Sequence, residues 1–246
     1  MLKLYGYFRS SAAYRVRIAL NLKKIEWTSE AVHLTKNGGE QFHEPYKKVN
    51  PQSLLPTIEE NGKQLTQSLA ILEYLDELYP DPPLLPKLPI HRAQARALAL
   101  AVACDIHPIN NLRVLKYLTQ KMGLDDAQKT EWYRHWISVG LEAIETMLEQ
   151  QTETAEFCFG SQVSLADICL IPQVFNANRF DCDLSAYPII TRINANCLAI
   201  EEFQKAEPQN QEDAEGLERG ALRPPGKWGN LAYFGYRSPP TFYAVG

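Results

Sequence analysis

The order of periodic segments in the first eighty residues constrains the fold more than any other feature of the sequence. Leu2–Tyr7 alternates with a period of two, which predicts a strand, and apolar residues then recur at helical spacing from Ala12 to Leu20. Trp27–Leu34 is a second predicted strand. Because a helix that joins two such strands crosses over the sheet, we expect the first two strands to run parallel.

A hairpin is predicted next. Thr57–Glu60 and Lys63–Thr66 flank the dipeptide Asn61-Gly62, which favours a two-residue turn because both turn positions need a positive φ. Leucines at positions 69, 72 and 75 then line one face of a helix that ends before Pro80. Strand, helix, strand, hairpin and helix together predict a small α/β domain with a mixed four-stranded sheet.

The pattern changes after a proline-rich stretch. Residues 80–89 contain five prolines, so we expect Asp81–Pro89 to be a linker. Beyond it the spacing is helical, which predicts an all-α domain with helices at about Ile90–Gly123, Asp126–Gln151, Leu165–Asn176 and Tyr187–Ile200. The predicted domains are therefore residues 1–82 and residues 88–212. Ser164 to Asp167 resembles a capping box, so Asp167 is expected to cap a helix rather than to act in catalysis.

Residues 213–246 are predicted to form a tail of different character. From residue 216 onwards there are six glycines, four prolines and six aromatic residues without periodicity, and four basic residues against one acidic residue. This composition favours a disordered extension, or one added by cloning, over the alternative of an aromatic tail that binds a partner.

Charge and cysteine content argue against several functional classes. The formal charge of −4 gives no reason to expect nucleic-acid binding, and no apolar run is long enough to cross a bilayer. Five widely spread cysteines without a CxxC pair favour neither a zinc site nor a disulfide framework. Cys104 and Cys169 lie in apolar stretches and are expected to be buried thiols. The N-terminus lacks a signal-peptide pattern, so a cytoplasmic location is expected.

Two polar pairs stand at predicted helix starts. Ser10 and Ser11 follow the first strand, where a hydroxyl and the positive end of a helix can stabilise a thiolate. Gln67 and Ser68 precede a later helix, where exposed backbone N–H groups can bind a carboxylate. From either pair alone, plain helix capping is the better interpretation.

Longer motifs carry a specific resemblance. Phe8–Leu20 resembles the zeta-class motif of the glutathione transferases, a Ser-Ser pair followed by Cys and then Arg-Val-Arg-Ile-Ala-Leu. Further matches occur in the family's order at Asn50-Pro51, Leu55-Pro56-Thr57, Gln67–Ile71, Ile106–Pro108, Asn110–Leu112, Ala166-Asp167, Pro172–Val174 and Asn178–Phe180. The resemblance covers about residues 2–205. It departs from the family at Ala12, where the family has cysteine, so any side role of that thiol is lost.

The resemblance implies a thioredoxin-like domain followed by an α-helical domain, a homodimer, and glutathione as the cofactor. It implies the isomerisation of maleylacetoacetate, a small dicarboxylic acid, in the breakdown of tyrosine and phenylalanine. Reversible addition of a thiolate to a cis alkene leaves a single bond that can rotate, so glutathione is regenerated. Three alternatives remain open: maleylpyruvate isomerase, a general glutathione transferase or peroxidase, and a non-catalytic binding protein. The intact serine and Gln-Ser pairs argue against the last.

The resemblance also assigns roles to particular residues. Ser10 is the predicted partner of the glutathione thiol, with Ser11 in support, and both are predicted to be catalytic. Gln67 and Ser68 would bind the γ-glutamyl end of glutathione, and Leu55 with a cis Pro56 would bind its cysteinyl part. The other predicted glutathione contacts are Arg15, Gln41, His107, Asn111 and Arg113.

Arginines are the predicted ligands of the substrate. A guanidinium group can hold a carboxylate through two parallel hydrogen bonds, and Arg9 and Arg179 are the residues predicted to do so. The alternative for each is a surface ion pair. Arg15 and Arg17 are two positions apart and point to different helix faces, so Arg17 is expected to make a structural ion pair instead.

Overall fold

The computed structural model describes residues 1–214, so all but the first two residues of the predicted tail lie outside the described residues. The N-terminal part forms one sheet with helices against it. The strands are β1 (Leu2–Gly6), β2 (Trp27–Ala31), β3 (Thr57–Glu60) and β4 (Lys63–Thr66), and the helices are α1 (Ser11–Leu22), α2 (Glu44–Val49) and α3 (Ser68–Leu78). The strand order is β2-β1-β3-β4, with β1 and β2 parallel and the other neighbours antiparallel. The predicted mixed sheet is thus confirmed.

The hairpin turn has the predicted backbone. Asn61 and Gly62 have φ values of 51° and 74°, and Glu60 pairs with Lys63 across the turn. Helix α2 was not predicted. It is only six residues long and buries Tyr46 alone, so its sequence carries no helical stripe.

The register of the sheet brings four chain segments to the same end. Tyr5 of β1 pairs with Thr57 of β3, and Thr57 pairs in turn with Thr66 of β4. Gly6, the last residue of β1, pairs with Ala31, the last residue of β2. The segments that follow β1, β2 and β4 and the segment that precedes β3 therefore meet at one end of the sheet.

The C-terminal part is helical, as predicted. Its helices are α4 (Pro89–Leu100), α5 (Leu112–Gln120), α6 (Asp126–Glu149), α7 (Leu165–Arg179), α8 (Pro188–Leu198) and α9 (Glu201–Ala206). A π-helical segment, Ala101–Ile106, continues α4. Within the described residues, no helix is long and apolar enough to cross a membrane.

The prediction of one helix over Ile90–Gly123 is wrong. The helical path breaks at residues 107–111, between the π-helical segment and α5. Pro108 has no backbone N–H to donate, and Asn111 caps the new helix by accepting a hydrogen bond from the backbone N–H of Arg113 at 3.1 Å. His107 therefore lies in a turn between helices and not inside a helix.

Cys104 also differs from expectation, because it is exposed whereas Cys169 is buried as predicted. Val102 and Ile106, two positions to either side of Cys104, face the core. A residue midway between them along a helix points away from their face. The apolar character of the segment therefore led to the wrong prediction that this thiol is buried.

Helices α1 and α7 form the contact between the two parts of the fold. Ten consecutive residues of α1, from Ser11 to Leu20, are buried, and α7 is buried along nearly its whole length. Asp167 caps α7 as predicted, with its carboxylate accepting hydrogen bonds from the N–H and hydroxyl of Ser164 at 2.8 and 2.7 Å. It also accepts one from the N–H of Cys158 at 2.9 Å. The junction of the two parts is therefore a packed interior, not a hinge.

Candidate active site

Ser10 lies at the N-terminus of α1, just after β1. Its backbone is extended, with φ −72° and ψ 111°, and its Oγ accepts a hydrogen bond from the N–H of Ala13 at 3.2 Å. Because the oxygen uses a lone pair for this cap, the hydroxyl proton is available to a further acceptor. The N-terminal end of a helix carries partial positive charge, so an anion next to this hydroxyl would be stabilised by both. Capping and thiolate binding are therefore compatible roles for Ser10.

Ser11 faces the helical part instead. Its side chain is buried, and its Oγ accepts a hydrogen bond from Nδ2 of Asn176 in α7 at 2.6 Å. The two residues are 165 positions apart in sequence. This bond fixes the start of α1, and with it Ser10, against α7.

Leu55 and Pro56 lie immediately before β3, at the same end of the sheet. The peptide bond between them is cis, as the resemblance implies. The loop is held by Leu54, whose carbonyl accepts hydrogen bonds from the hydroxyl of Tyr46 at 2.6 Å and from Nδ2 of Asn50 at 2.8 Å. Thr57 pairs with Tyr5, so this loop adjoins the chain that leads from β1 to Ser10.

Gln67 and Ser68 follow β4 at this same end. Gln67 precedes α3 with a φ of 69°, a value that favours glycine and that is found at ligand sites in other residues. Its Nε2 donates to Oε1 of Gln52 at 3.0 Å. Ser68 is the first residue of α3 and is buried. Ser10, the cis-proline loop and the Gln67–Ser68 pair thus surround one end of the sheet.

Arg15 lies behind this cluster and links it to the helical part. Its side chain is only 1% exposed, so it does not reach the protein surface. Its guanidinium donates to Oγ of Ser68 at 3.2 Å and meets Nδ1 of His107 at 3.2 Å. Burial lowers the pKa of Arg15 from its ordinary value.

His107 is kept neutral by this environment. Burial, followed by the positive charges of Arg15 and Arg113, lowers the pKa of His107 to about 3. Arg113 is exposed, and Asn111 uses its side chain to cap α5. The predicted group His107, Asn111 and Arg113 therefore lies together at the turn before α5, with His107 alone bonded to the residues near the sheet.

Gln41 lies in the segment that follows β2. It is 5% exposed, and its Oε1 has no hydrogen-bond partner within the described residues. A buried amide oxygen without a donor is unfavourable, so the residue has unused capacity for a polar ligand. No described contact joins Gln41 directly to Ser10 or Ser68.

The two predicted carboxylate ligands lie near the same place. Arg9 is exposed and directly precedes Ser10, with its guanidinium 4.9 Å from the centre of the Phe8 ring. Arg179 is three positions after Asn176 on α7 and so lies on the same face of that helix, with its guanidinium 5.0 Å from the Phe180 ring. Among the residues that the structure describes, no carboxylate forms an ion pair with either arginine. Their charges are therefore available to an anionic ligand.

Arg17 has a structural role, but within residues 1–214 its hydrogen-bond partners are carbonyls and not the carboxylate of an expected ion pair. Its guanidinium donates to the carbonyls of Ala206 and Phe8 at 2.9 and 3.1 Å. Burial lowers the pKa of Arg17 to about 10. The arginine thus ties α9 and the segment before Ser10 to α1.

Asn176 is the site residue that the sequence prediction missed. It was predicted only as the end of a helix, yet it holds Ser11 in place. Its spacing of three from Arg179 was a usable signal, because residues three apart share a helix face.

The chemistry of these groups fits a tripeptide thiol with terminal carboxylates. A free hydroxyl proton at a helix N-terminus suits a thiolate, and the N-terminus of α3 suits a carboxylate. The backbone of the loop before β3 can offer hydrogen bonds to an extended peptide. The unpartnered Oε1 of Gln41 is a buried polar atom that such a ligand or bound water would satisfy.

Comparisons with known proteins agree with this arrangement. Residues 4–83 match the family model described as "Glutathione S-transferase, N-terminal domain". A probable maleylacetoacetate isomerase from Vibrio cholerae is 53% identical over 86% of this chain and 97% of that protein. A maleylpyruvate isomerase from a Ralstonia species is 43% identical over 87% of this chain and all of that protein.

Solved structures give the same picture. The holo structure of a maleylpyruvate isomerase, described as a bacterial glutathione transferase of the zeta class, superposes with a TM-score of 0.84 at 43% identity, covering 87% of this chain and all of that one. The maleylacetoacetate isomerase of Methylobacterium extorquens, solved with bound malonate and glutathione, gives a TM-score of 0.83 at 41% identity, covering 87% and 99% of the two chains. The chain belongs to the zeta class of the glutathione transferases.

Proposed function

We propose that this protein is a glutathione-dependent isomerase that converts maleylacetoacetate to fumarylacetoacetate. The observation that carries the proposal is the hydroxyl of Ser10 at the N-terminus of α1, beside the cis-proline loop and the start of α3. Relatives that are 53% and 49% identical to this chain are named as a probable maleylacetoacetate isomerase and a maleylacetoacetate isomerase. Both span nearly the whole described chain, so the resemblance is not limited to one domain.

In this proposal, the residues of the chain hold and polarise the reactants. Ser10 donates a hydrogen bond to the sulfur, and the start of α1 adds positive potential, so the thiol ionises near neutral pH. The backbone N–H groups at the start of α3, with Ser68, hold the γ-glutamyl carboxylate. Glutathione supplies a soft nucleophile that adds reversibly to the conjugated cis alkene and lets the resulting single bond rotate. Ser11 contributes by fixing the start of α1 through Asn176.

Substrate selection is assigned to the two free arginines. Arg9 directly precedes Ser10 and Arg179 follows Asn176 by three positions, so both are close in sequence to the bond between Ser11 and Asn176 that joins α1 to α7. A substrate with two carboxylates can engage both guanidinium groups, each in a bidentate fork. In support, the Methylobacterium relative was solved with malonate, a small dicarboxylate.

The cellular setting belongs to the same proposal. We place the reaction in tyrosine and phenylalanine breakdown in the cytoplasm, with residues 1–82 binding glutathione and residues 88–212 contributing the substrate side.

We also propose a homodimer. A groove at the surface of α3 and α4 combines the exposed Leu100 with Leu69 and an ion pair between Glu73 and Arg96 at 2.7 Å. Sedimentation at several protein concentrations tests this association.

Maleylpyruvate is the second candidate substrate. The Ralstonia relative is named a maleylpyruvate isomerase, and the zeta-class structure with the TM-score of 0.84 bears the same name. Both substrates are cis-alkene dicarboxylates, so the same residues would bind either. Comparison of kcat/KM for the two acids decides between them.

The test is an isomerase assay with each acid, with and without glutathione. We expect activity only with glutathione, and a loss of about 10²-fold or more in kcat/KM for Ser10→Ala, because a donor to a developing anion is removed. Ser29→Ala, an exposed serine on β2, is the matched control and should keep full activity. Isomerisation that is independent of glutathione, or unaffected by Ser10→Ala in a folded protein, would refute the proposal.

A further inference from the structure

Arg15 is buried between two parts of the fold and bonds to one side chain from each. One terminal nitrogen donates to Oγ of Ser68 at the start of α3. The other lies 3.2 Å from Nδ1 of His107, in the turn before α5. The third nitrogen of the guanidinium, Nε, has no hydrogen-bond partner in the described part of the chain. Ser68 and His107 are thus the two groups that this guanidinium orients.

The direction of these hydrogen bonds follows from the chemistry of arginine. A guanidinium has five N–H donors and no acceptor, so its partners must both accept. Ser68 then uses an oxygen lone pair for Arg15 and is free to direct its own proton elsewhere. His107 accepts at Nδ1, so the neutral ring carries its proton on Nε2. Within residues 1–214, no group accepts a hydrogen bond from that Nε2.

We propose that Arg15 is a positioning residue that turns the protons of Ser68 and His107 away from itself, so that both present hydrogen-bond donors to an anionic ligand. The inference rests on the proposed function, since glutathione and a dicarboxylic substrate are the anions concerned. Arg15 itself stays behind the two groups, because it is 1% exposed. Arg15 thus favours the binding of anions through Ser68 and His107 and does not contact the anion itself.

The charges around His107 support a fixed protonation state. Two cationic groups face it from the elements packed against it: Arg15 on α1 and Arg113 on α5. Burial is the largest cause, and together with these two charges it lowers the pKa of His107 to about 3. The imidazole therefore stays neutral across the physiological range, and its Nε2 proton is a permanent donor rather than one that appears on acidification.

Lysine cannot replace arginine in this role. The two acceptors belong to different elements, and a planar guanidinium reaches both with separate nitrogens in a rigid fork. A lysine ammonium carries its three donors on one atom and lacks the two separate terminal nitrogens with which Arg15 meets Ser68 and His107. Substitution by lysine therefore keeps the positive charge but removes the planar group that bonds to both Ser68 and His107.

The direct test is NMR of the protein labelled with ¹⁵N-histidine, without any ligand. Its long-range spectra distinguish the two neutral tautomers and the cation, and His107→Gln identifies the His107 signals among the five histidines. We expect the Nε2–H tautomer of His107 to persist unchanged from pH 8 to pH 5. An Nδ1–H tautomer, or titration near the ordinary histidine value of about 6.5, would overturn the inference.

Two variants and a matched control test the role of Arg15. In Arg15→Lys and Arg15→Met we expect a mixture of His107 tautomers and an increase of about tenfold or more in the Kd for glutathione, measured by calorimetry, since charge-assisted orientation is lost. Arg92→Lys alters an arginine on α4 that is not part of the candidate site, and whose guanidinium donates to the carbonyl of Pro86 at 3.4 Å. It should keep the wild-type tautomer and a Kd within about twofold.

The outcomes are separable from those of the proposed function. If the Arg15 variants do not fold, the wild-type tautomer still decides, because Nδ1 protonation contradicts donation from Arg15. If the variants fold with an unchanged tautomer and Kd, Arg15 has no positioning role. A protein with the expected tautomer and glutathione affinity but without isomerase activity would leave this inference standing and refute the proposed reaction.

Discussion

The hydrogen bond between Asn176 and Ser11 offers the sharpest test of how the two parts of the fold hold the site. It joins buried side chains over 2.6 Å and lies directly beside Ser10. Asn176→Ala leaves the Ser11 hydroxyl buried without its donor, and Ser11→Ala leaves the Asn176 amide without its acceptor. A buried polar group that loses its partner costs about 1–3 kcal/mol, so each single variant should lose that much stability.

The double variant distinguishes the bond from general packing. Because Ser11→Ala,Asn176→Ala removes both partners, we expect it to be about 1–2 kcal/mol more stable than the sum of the single losses predicts. Urea unfolding followed by circular dichroism and tryptophan fluorescence measures all three variants. Asn178→Ala is the control on the same helix, since its side chain makes no hydrogen bond among residues 1–214, and it should change stability by about 0.5 kcal/mol at most.

Activity provides a second reading of the same variants. Since Ser11 and Ser10 are adjacent, a looser start of α1 should lower kcat even where the variant remains folded. Additivity of the two single losses to within about 0.3–0.5 kcal/mol, or an unchanged kcat in Asn176→Ala, would refute the view that this bond positions the site.

Three further predictions follow from buried polar groups. Asp167→Ala removes a carboxylate that accepts three hydrogen bonds at the start of α7, so it should lower the free energy of unfolding by about 2–4 kcal/mol in urea. Lys23→Met removes the ammonium that donates to the carboxylate of Asp76 and to the carbonyls of Tyr79 and Pro82 at 2.5–2.6 Å. It should lower the Tm in a thermal melt by several degrees, about 2–4 °C for each kcal/mol. His107 has a folded pKa of about 3, well below its ordinary value of 6.5, so the unfolded chain takes up a proton first as the pH falls. Stability from this group is complete above pH 6.5 and is lost as the pH falls towards 3. His107→Gln should therefore flatten that part of the stability profile by up to about 5 kcal/mol, and parallel profiles for the two proteins in urea unfolding would contradict this.

The fold followed from local signals where those signals were strong. Asn61-Gly62 predicted the hairpin because few dipeptides accept two positive φ values, and both residues have them. The helix pattern after Ser10 predicted the crossover and hence the parallel pair β1 and β2. By contrast, α2 is too short and too exposed to produce a periodic pattern, and the break at residues 107–111 was hidden by apolar residues on both sides.

The segments that meet at the candidate site could be predicted from the sequence, but the bonds between their side chains could not. Ser10, Pro56 and Ser68 were identified through the family motifs, and the register of the sheet brings their segments to one end. The bond between Arg15 and His107 spans 92 positions, and no local pattern in the sequence indicates it. Periodicity tells which face of a helix is buried, and it does not tell which buried polar groups meet.

Helix α1 explains why the site and the junction of the two parts are one structure. Three of its polar side chains are buried, and each bonds to the helical part: Ser11 to α7, Arg15 to the turn before α5, and Arg17 to the end of α9. Guanidinium groups are costly to bury without acceptors, so the sheet alone could not hold them in this conformation. One acceptor of each guanidinium, His107 for Arg15 and the Ala206 carbonyl for Arg17, comes from the helical part, while the hydroxyl of Ser10 and the loops around it belong to the N-terminal part. The geometry of the glutathione site therefore depends on a contact that neither part can make by itself.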